Sequence, residues 1–592
     1  MRSLLSLIPY IRKYKNKLSL GFLFILFSIG ANSLYPLVIG AAIDDLTTGI
    51  YRHSMLVYSL IGIGLIIFSG IFLFLIRQNI IIVSRDIEND LRHDFFSHLQ
   101  YLSGTFYNTR STGDIMAHAT NDISNIRNFV GPGIMYAVQT LIRTIITLII
   151  LFSISKSITL YALIPLPFIT YIVYKVGKLT FGRSKKVYEI FSDMTSKSQE
   201  IFSGIRVIKS YVREDFEKNE FDNISFDYQK KNLMLARLQS FSFPMMFLLT
   251  SLSIIIVIYF GGIKVMEGSL SIGNISSFII YLGQLTWPMI ALGWIINLIQ
   301  RAAPSMQRIN NIINIKPDIS DNDSTDLKIK TEDIKGEIEF KNVSFKFPFS
   351  NTPVLKNINL KIRKGTTLGI IGETGAGKST LINLIPRIWD ITEGDIFIDG
   401  FNIKNIPLKV LRESIGIVPQ ESFLFSYTIE NNISYSSDIA YDKKNDPDVN
   451  RAEVILYSQI AGLYKDVENF PDKFNTVLGE RGITLSGGQK QRTSIARAIY
   501  KKPEILILDD SLSAVDTNTE EEILNELKKV MNNRTSIIIS HRISTIKNAN
   551  NIIVLSDSVI KEEGTHNELL ALGGIYNEIY KRQLLEEEIK EY

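Results

Sequence analysis

The chain has 592 residues, 46% of them hydrophobic and 21% charged, with a formal net charge of +4; that length is too great for one core and calls for two to four domains. A mean hydropathy of +0.13 beside that charge content means that the apolar residues are concentrated in one part, while the small net charge says little about partners. Zero cysteines exclude disulfides, thiolate metal sites and cysteine nucleophiles.

The first twenty residues lack an A-x-A-like site after a short apolar core, so no cleavable signal is expected. Arg12, Lys13, Lys15 and Lys17 sit among aromatic and apolar residues, as in an interfacial helix at the cytoplasmic surface. Apolar runs of near-spanning length then predict six membrane spans, at 18–39, 55–76, 133–154, 157–175, 243–265 and 274–298. Short loops join them in pairs, and two long polar excursions, 77–132 and 176–244, separate the pairs. Arg77, Arg85, Arg92, Arg110 and Arg127 lie in the first excursion, and Arg183, Lys185, Lys186, Arg206, Lys209 and Arg213 in the second. By the positive-inside rule both excursions and both termini are cytoplasmic.

The excursions carry helical periodicity, as at Ile80, Val83, Ile87, Leu91 and Phe95, so the spanning helices are expected to continue into the cytoplasm. A polar break at 108–114 and another near Asp193–Ser196 are the expected turns of two helical hairpins, elements that could dock on a nucleotide domain. Polar residues inside a span are costly and each calls for a reason. Asn32, Gln139, Arg143, Gln284 and Asn297 are such residues, and Met245, Met246 and Trp287 offer adaptable apolar contact. All but Asn297 are carried forward as candidate substrate contacts; helix bridging, or snorkelling of Arg143, is the bland alternative.

An acidic, polar stretch after Lys316 reads as a linker, and the pattern then turns to β. The domains expected are 1–316 in the membrane, a linker at 317–335, a nucleotide domain at 336–583 and an acidic tail at 584–592. The apolar run Thr367–Ile371 leads into Gly372-Glu373-Thr374-Gly375-Ala376-Gly377-Lys378-Ser379-Thr380 and then a helical pattern. This is strand, glycine loop, helix. Glycines at 372, 375 and 377 let backbone N–H groups curl around phosphate oxygens, and the helix start at Lys378–Thr380 adds unpaired donors and a positive dipole end. The spacing assigns Lys378 to the β- and γ-phosphates and the Ser379 hydroxyl to Mg²⁺. Phe347 is positioned either to stack on adenine or to fill the core.

Two further apolar strands end in polar residues. Ile505–Asp509 delivers Asp509, expected in the Mg²⁺ shell, with Asp510 next to it; Ser536–Ser540 delivers His541, which could meet a γ-phosphate. Between the glycine loop and the strand that ends in Asp509, Leu485-Ser486-Gly487-Gly488-Gln489 precedes a helix and forms a second candidate anion site, one more than a single domain needs.

Read together, these motifs resemble those of an ATP-binding cassette (ABC) exporter half-transporter over nearly the whole chain. Leu485–Gln489 is similar to the family signature, Val418–Glu421 to the Q-loop, 513–516 to the D-loop, Ser540-His541 to the switch histidine and 476–482 to the exporter X-loop. Phe347 stands where the family usually has tyrosine. The resemblance implies an all-α six-helix transmembrane domain followed by an α/β P-loop ATPase domain with a helical subdomain. It also implies head-to-tail pairing, with ATP and Mg²⁺ held between one domain's P-loop and the Ser486–Gln489 signature of the other. Gln420 would contact Mg²⁺ or the attacking water.

One position departs: the family's catalytic glutamate is Asp510 here. That narrows the resemblance to the subunit of heterodimeric bacterial multidrug exporters that carries the degenerate carboxylate, with a site of low activity. A homodimer that tolerates aspartate is the alternative. The expectation is ATP-driven export of amphipathic small molecules by a dimer with a second half-transporter in the lipid bilayer of a bacterial plasma membrane, without nucleic acid. A lipid flippase or a peptide exporter shares every motif, and a membrane-bound regulator or channel is the reading from a different class.

Overall fold

The structure, a computed structural model, describes residues 2–591 apart from 50–52, 349, 351, 437–446, 480–484, 514 and 516. Two compact units emerge: residues 1–100 with 111–315, and residues 101–110 with 316–592.

The first unit is helical. Its six long helical runs among the described residues are α1 (Lys15–Thr48), α2 (Met55–Tyr101), α3 (Thr112–Ile154), α4 (Pro165–Ser203), α5 (Glu214–Met266) and α6 (Ile272–Ile313). Among the described residues α1, α2, α3 and α6 are long and apolar enough to cross a membrane, and α5 carries a shorter apolar stretch, Thr250–Met266. The apolar residues expected as a fourth span are divided at Ile164, between a helix Lys156–Leu163 and α4. Apolar side chains such as Ile61, Ile67 and Phe74 stay exposed along α2, as lipid-facing helices require. Inward-facing Ile25, Ile29, Val257, Phe278 and Tyr281 are buried.

One expectation needs correction. Helix α4 runs through Asp193–Ser196 without a turn, because Thr195 returns its hydroxyl hydrogen to the Phe191 carbonyl at 2.8 Å and Ser198 to Met194 at 2.9 Å. The chain breaks instead at Gly204 and again at Tyr211–Arg213. Near the N-terminus, Lys13 reaches Asp90 at 2.7 Å and Lys17 reaches Asp86 at 3.5 Å, which ties two of the four cations to α2 while both side chains stay exposed.

The second unit is α/β. A four-stranded antiparallel sheet has the order β2-β1-β4-β5, built from β1 (Ile338–Phe345), β2 (Leu355–Ile362), β4 (Glu393–Ile398) and β5 (Phe401–Asn402). A six-stranded sheet runs β10-β9-β3-β8-β7-β6, with β3 (Thr367–Gly372), β6 (Ile415–Val418), β7 (Ile505–Asp509), β8 (Thr535–Ile539), β9 (Asn551–Ser556) and β10 (Val559–Gly564). Strands β6, β7, β8, β3 and β9 are parallel, and every residue of β7 and β8 is buried. That is why both read as unbroken apolar runs. The polar stretch after Lys316 is anchored rather than free: Ile319, Ile329 and Ile334 are buried, and Asp321 accepts the Leu408 N–H at 2.9 Å. Residues from 584 onward continue a helix, Ile575–Glu591.

Candidate nucleotide site

Parallel strands put their carboxyl ends on one edge, and this edge builds the site. The register pairs Asp509 of β7 with Ile539 of β8, and Ile370 of β3 with the same Ile539. The residues at and just beyond the ends of β3, β6, β7 and β8 therefore meet: Gly375, Gly377, Lys378, Ser379, Thr380, Gln420, Asp509, Asp510 and His541 line one cleft of about 320 Å³, together with Phe347.

The glycine loop has steric reasons for its composition. A Cβ on Gly372 would lie 2.1 Å from the Leu555 carbonyl oxygen, and Gly377, at φ 98°, would press on Val354. Gly375, at φ 86°, meets nothing within 4 Å. Helix α7 (Lys378–Leu384) opens at Gly377 with no side-chain cap, which leaves its first N–H groups for a ligand. Lys378 is buried and donates to the carbonyls of Gly372 at 2.8 Å and Glu373 at 2.9 Å. Burial pushes its pKa down, against the pull of the Asp509 and Asp510 carboxylates.

Asp509 is buried and hydrogen-bonded to Ser379; burial holds its pKa up, the Ser379 bond opposes this, and the neighbouring Asp510 charge reinforces it. A hydroxyl, a carboxylate kept uncomfortable by a second carboxylate, and the Gln420 amide in the same cleft form an all-oxygen donor set that suits Mg²⁺. Among the described residues no group of three or more His, Cys, Asp or Glu could hold a metal alone. One carboxylate plus phosphate oxygens is the usual arrangement for Mg²⁺. Asp510 sits at φ 44°, its N–H bonded to the Ile539 carbonyl at 3.0 Å and its own carbonyl accepting from Ser513 Oγ at 3.0 Å. The His541 carbonyl accepts from Gln583 at 2.6 Å. Phe347 packs edge-on against Phe345 at 4.9 Å and Trp389 at 5.2 Å, with one side of the ring left to the cleft.

Ser486, Gly487, Gly488 and Gln489 do not line this cleft. They start helix α8 (Gly487–Tyr500), where Ser486 accepts the Gln489 N–H at 3.3 Å and Gln489 accepts the Ser486 N–H at 3.0 Å. Gln489 also donates to Asp466 at 3.1 Å, and Arg492 pairs with the same carboxylate at 2.7 Å. Between them, Gln491 donates to Ser513 at 3.1 Å, linking α8 to the segment after Asp510. Residues 480–482 of the X-loop and 514 and 516 of the D-loop lie outside the described residues.

The fold supports belonging to a family defined by these parts. The family model of the ABC transporter transmembrane region matches residues 18–289, and the ABC transporter family model matches residues 355–513. A probable multidrug resistance ABC transporter ATP-binding/permease protein of Bacillus subtilis, YheI, is 37% identical over 93% of this chain and 92% of its own. The chain belongs to the ABC transporter family.

Among other ABC relatives, the multidrug resistance-like ATP-binding protein MdlA of Escherichia coli is 33% identical over 93% of this chain and 91% of its own. An ATP-dependent lipid A-core flippase of Syntrophus aciditrophicus is 35% identical over 86% and 82%. A bacterial Atm1-family ABC exporter solved with ATP bound superposes with a TM-score of 0.80 at 26% identity, over 96% of this chain and 99% of its own. This is therefore an ABC exporter half-transporter, a helical transmembrane domain followed by an ATPase domain of an ATP-driven family.

Of the intramembrane candidates, the structure joins Arg143 of α3 to Asn32 of α1, at 3.4 Å. Gln139 lies half-buried one turn from Arg143, Asn297 and Met245 are half-buried, and Trp287 is exposed. The Met246 side chain lies outside the described residues. Among those residues no hydrogen bond ties Gln284 or Trp287 to the pair. Sequence reasoning missed Trp389, which backs Phe347 and lies 3.4 Å from where a Gly104 Cβ would stand, in the 101–110 segment that packs with this unit. A lone tryptophan after Arg387-Ile388 carries no periodicity that would have marked it.

Proposed function

We propose that the protein exports amphipathic small molecules across a bacterial plasma membrane as one half of a dimeric, heterodimeric ABC exporter, with both termini cytoplasmic. The observation that carries this reading is a division within the nucleotide unit: Lys378, Ser379, Asp509, Asp510 and His541 share a cleft, and Ser486–Gln489 stand outside it. A site split in this way is completed by a second half-transporter. The multidrug names of YheI and MdlA support the substrate class.

In this reading the N–H groups of Gly375–Thr380 and the Lys378 ammonium bind the β- and γ-phosphates, and Phe347 stacks on adenine. Ser379, Asp509 and Gln420 hold Mg²⁺, which neutralises phosphate charge when bound. Asp510 orients the attacking water, and His541 donates to the γ-phosphate. Phosphoryl transfer asks for little beyond such positioning and charge stabilisation. Asp510 is one methylene shorter than glutamate, which retracts its carboxylate by roughly 1.5 Å and slows the chemistry by about 10²-fold. This site then chiefly holds ATP, while Ser486–Gln489 complete the partner's faster one.

ATPase activity of the purified chain alone, compared with the chain co-expressed with a neighbouring half-transporter, tests the pairing. Low turnover alone and high turnover together are expected. Robust turnover alone, abolished by Asp510→Ala, sinks the heterodimer. A lipid substrate is the second reading, favoured by the flippase relative; ATP-dependent movement of a labelled lipid, with no dye uptake into inverted vesicles, would establish it.

A further inference from the structure

Arg143 is the one charged residue between Arg127 and Lys156. At 1.5 Å per residue it lies about 18 Å from the helix end at Ile154–Ser155 and about 24 Å from Arg127. Within a hydrocarbon layer of about 30 Å neither end is within reach of a snorkelling side chain. A guanidinium carries five N–H donors, and a chain retains one at such depth only when it is paired or functional.

The pairing is meagre. Its hydrogen bond, to the Asn32 amide oxygen, is long at 3.4 Å and involves a neutral group. Among the described residues no carboxylate is in ion-pair contact with it. The nearest acidic residues along α1 are committed elsewhere: Asp44 accepts the Gly273 N–H at 2.7 Å, and Asp45 accepts from Tyr58 at 2.9 Å. Both lie about 18 Å along the helix from Asn32.

Other unmet polar atoms lie near the same level. Thr147, one turn from Arg143 on α3, is fully buried, and among the described residues its hydroxyl has no partner. Helices α3 and α6 run antiparallel, with Gly133 against Leu298 and Tyr136 against Trp294, which continues to Thr147 opposite Gln284. The Gln284 amide oxygen is likewise buried without a partner among the described residues. On the other flank Ser277 donates to the Pro36 carbonyl at 2.8 Å and Tyr281 to that of Ser33, which sets Asn32 within a turn of Gln284.

We propose that Arg143, oriented by Asn32, is an anion-recognition point that makes the exporter select amphipathic substrates carrying one carboxylate, sulfonate or phosphate on an apolar body. This rests on the export reading above and narrows its substrate class. The Thr147 hydroxyl supplies a second donor to the anion, the Gln284 amide oxygen is left to accept from the Arg143 guanidinium, and the surrounding apolar helices take the body.

The test uses the full chain in neutral phosphatidylcholine nanodiscs with two probes of the same body, pyrenebutyrate and pyrenebutyl-trimethylammonium. Wild type binds the anion at least about ten-fold more tightly, as expected for one charge-assisted contact. Arg143→Gln loses that preference while the cationic probe is unaffected, Arg143→Lys keeps most of it, and Arg143→Glu reverses it. Equal wild-type affinity for the two probes overturns the proposal, and this comparison decides it even if the glutamine variant fails to fold. Displacement of pyrenebutyrate by phosphatidylglycerol assigns the anion to a lipid headgroup, and displacement by decanoate alone assigns it to a free amphipath; both support the site. ATP-driven uptake into inverted vesicles separates the two readings. Anion preference without any uptake removes export and leaves the site, whereas uptake of both probes at equal affinity removes the site and leaves export.

Discussion

Two adjacent aspartates set the chemistry of the cleft, and their roles separate by environment. Asp509 is buried with its pKa held above the usual 3.8 by burial and by the Asp510 charge. A carboxyl whose folded pKa is raised disfavours the folded state at neutral pH, and that penalty is relieved as pH falls through the folded value. Asp509→Asn is therefore expected to raise the melting temperature of the ligand-free protein at pH 7. It should also abolish the further rise that Mg²⁺ and ATP produce together. A fall in the ligand-free midpoint would show that Asp509 is already satisfied by Ser379 alone. Asp510 calls for the opposite substitution. Its backbone is fixed by the Ile539 and Ser513 bonds at φ 44°, so Asp510→Glu extends the carboxylate without moving the chain. Single-turnover hydrolysis in the paired protein is expected to rise at this site by about 10²-fold, and an unchanged rate would remove the account of the degenerate site.

At the scale of elements, helix α8 is held by its own start. The reciprocal Ser486–Gln489 bonds and the Gln489–Asp466–Arg492 chain fix it, and none of these residues lines the Lys378 cleft. Gln489→Ala removes the bond its side chain accepts from the Ser486 N–H and the Asp466 bond, a loss of about 1–2 kcal/mol, while Ser486 still caps the helix. It is expected to leave azido-ATP labelling of this chain's P-loop intact while hydrolysis by the pair falls. Loss of labelling here would mean that α8 supports the cleft in the same chain. Such placement was legible where one period dominates. The apolar runs of β3, β7 and β8 announce strands buried on both faces, and their last residues then have to share an edge. Where polar side chains bond locally, the sequence misleads: Asp193–Ser196 has loop composition, yet Thr195 and Ser198 turn their hydroxyls back on the helix. Distant pairs were not legible at all. Asp122 accepts from Arg308 and from Ser305 at 2.8 Å, and lies 2.7 Å from His118, across 186 residues in the first case. Nothing in local pattern couples such positions, just as nothing in it joins Trp389 to Gly104.

For the whole molecule, the proposed reading assigns the P-loop and the signature to different sites of an assembled pair, and the two sites then need not share one rate. In the proposed heterodimer, Lys378 binds the phosphates of the site that holds Asp510, and its loss removes ATP from the slower of the two sites. Lys378→Ala in the heterodimer is accordingly expected to leave more residual hydrolysis than alanine at the partner's equivalent lysine. The partner substitution should lower steady-state turnover by about 10²-fold or more, the scale of losing a charge-stabilising group. Transport distinguishes binding from turnover. If this site chiefly holds ATP to keep the pair closed, Lys378→Ala slows dye uptake into inverted vesicles more than it slows hydrolysis, because closure without a second bound nucleotide is short-lived. Equal losses of hydrolysis from the two lysines, with uptake falling in proportion, would mean two symmetrical sites. Asp510 would then be a tolerated shortening, and a homodimer of this chain the working exporter.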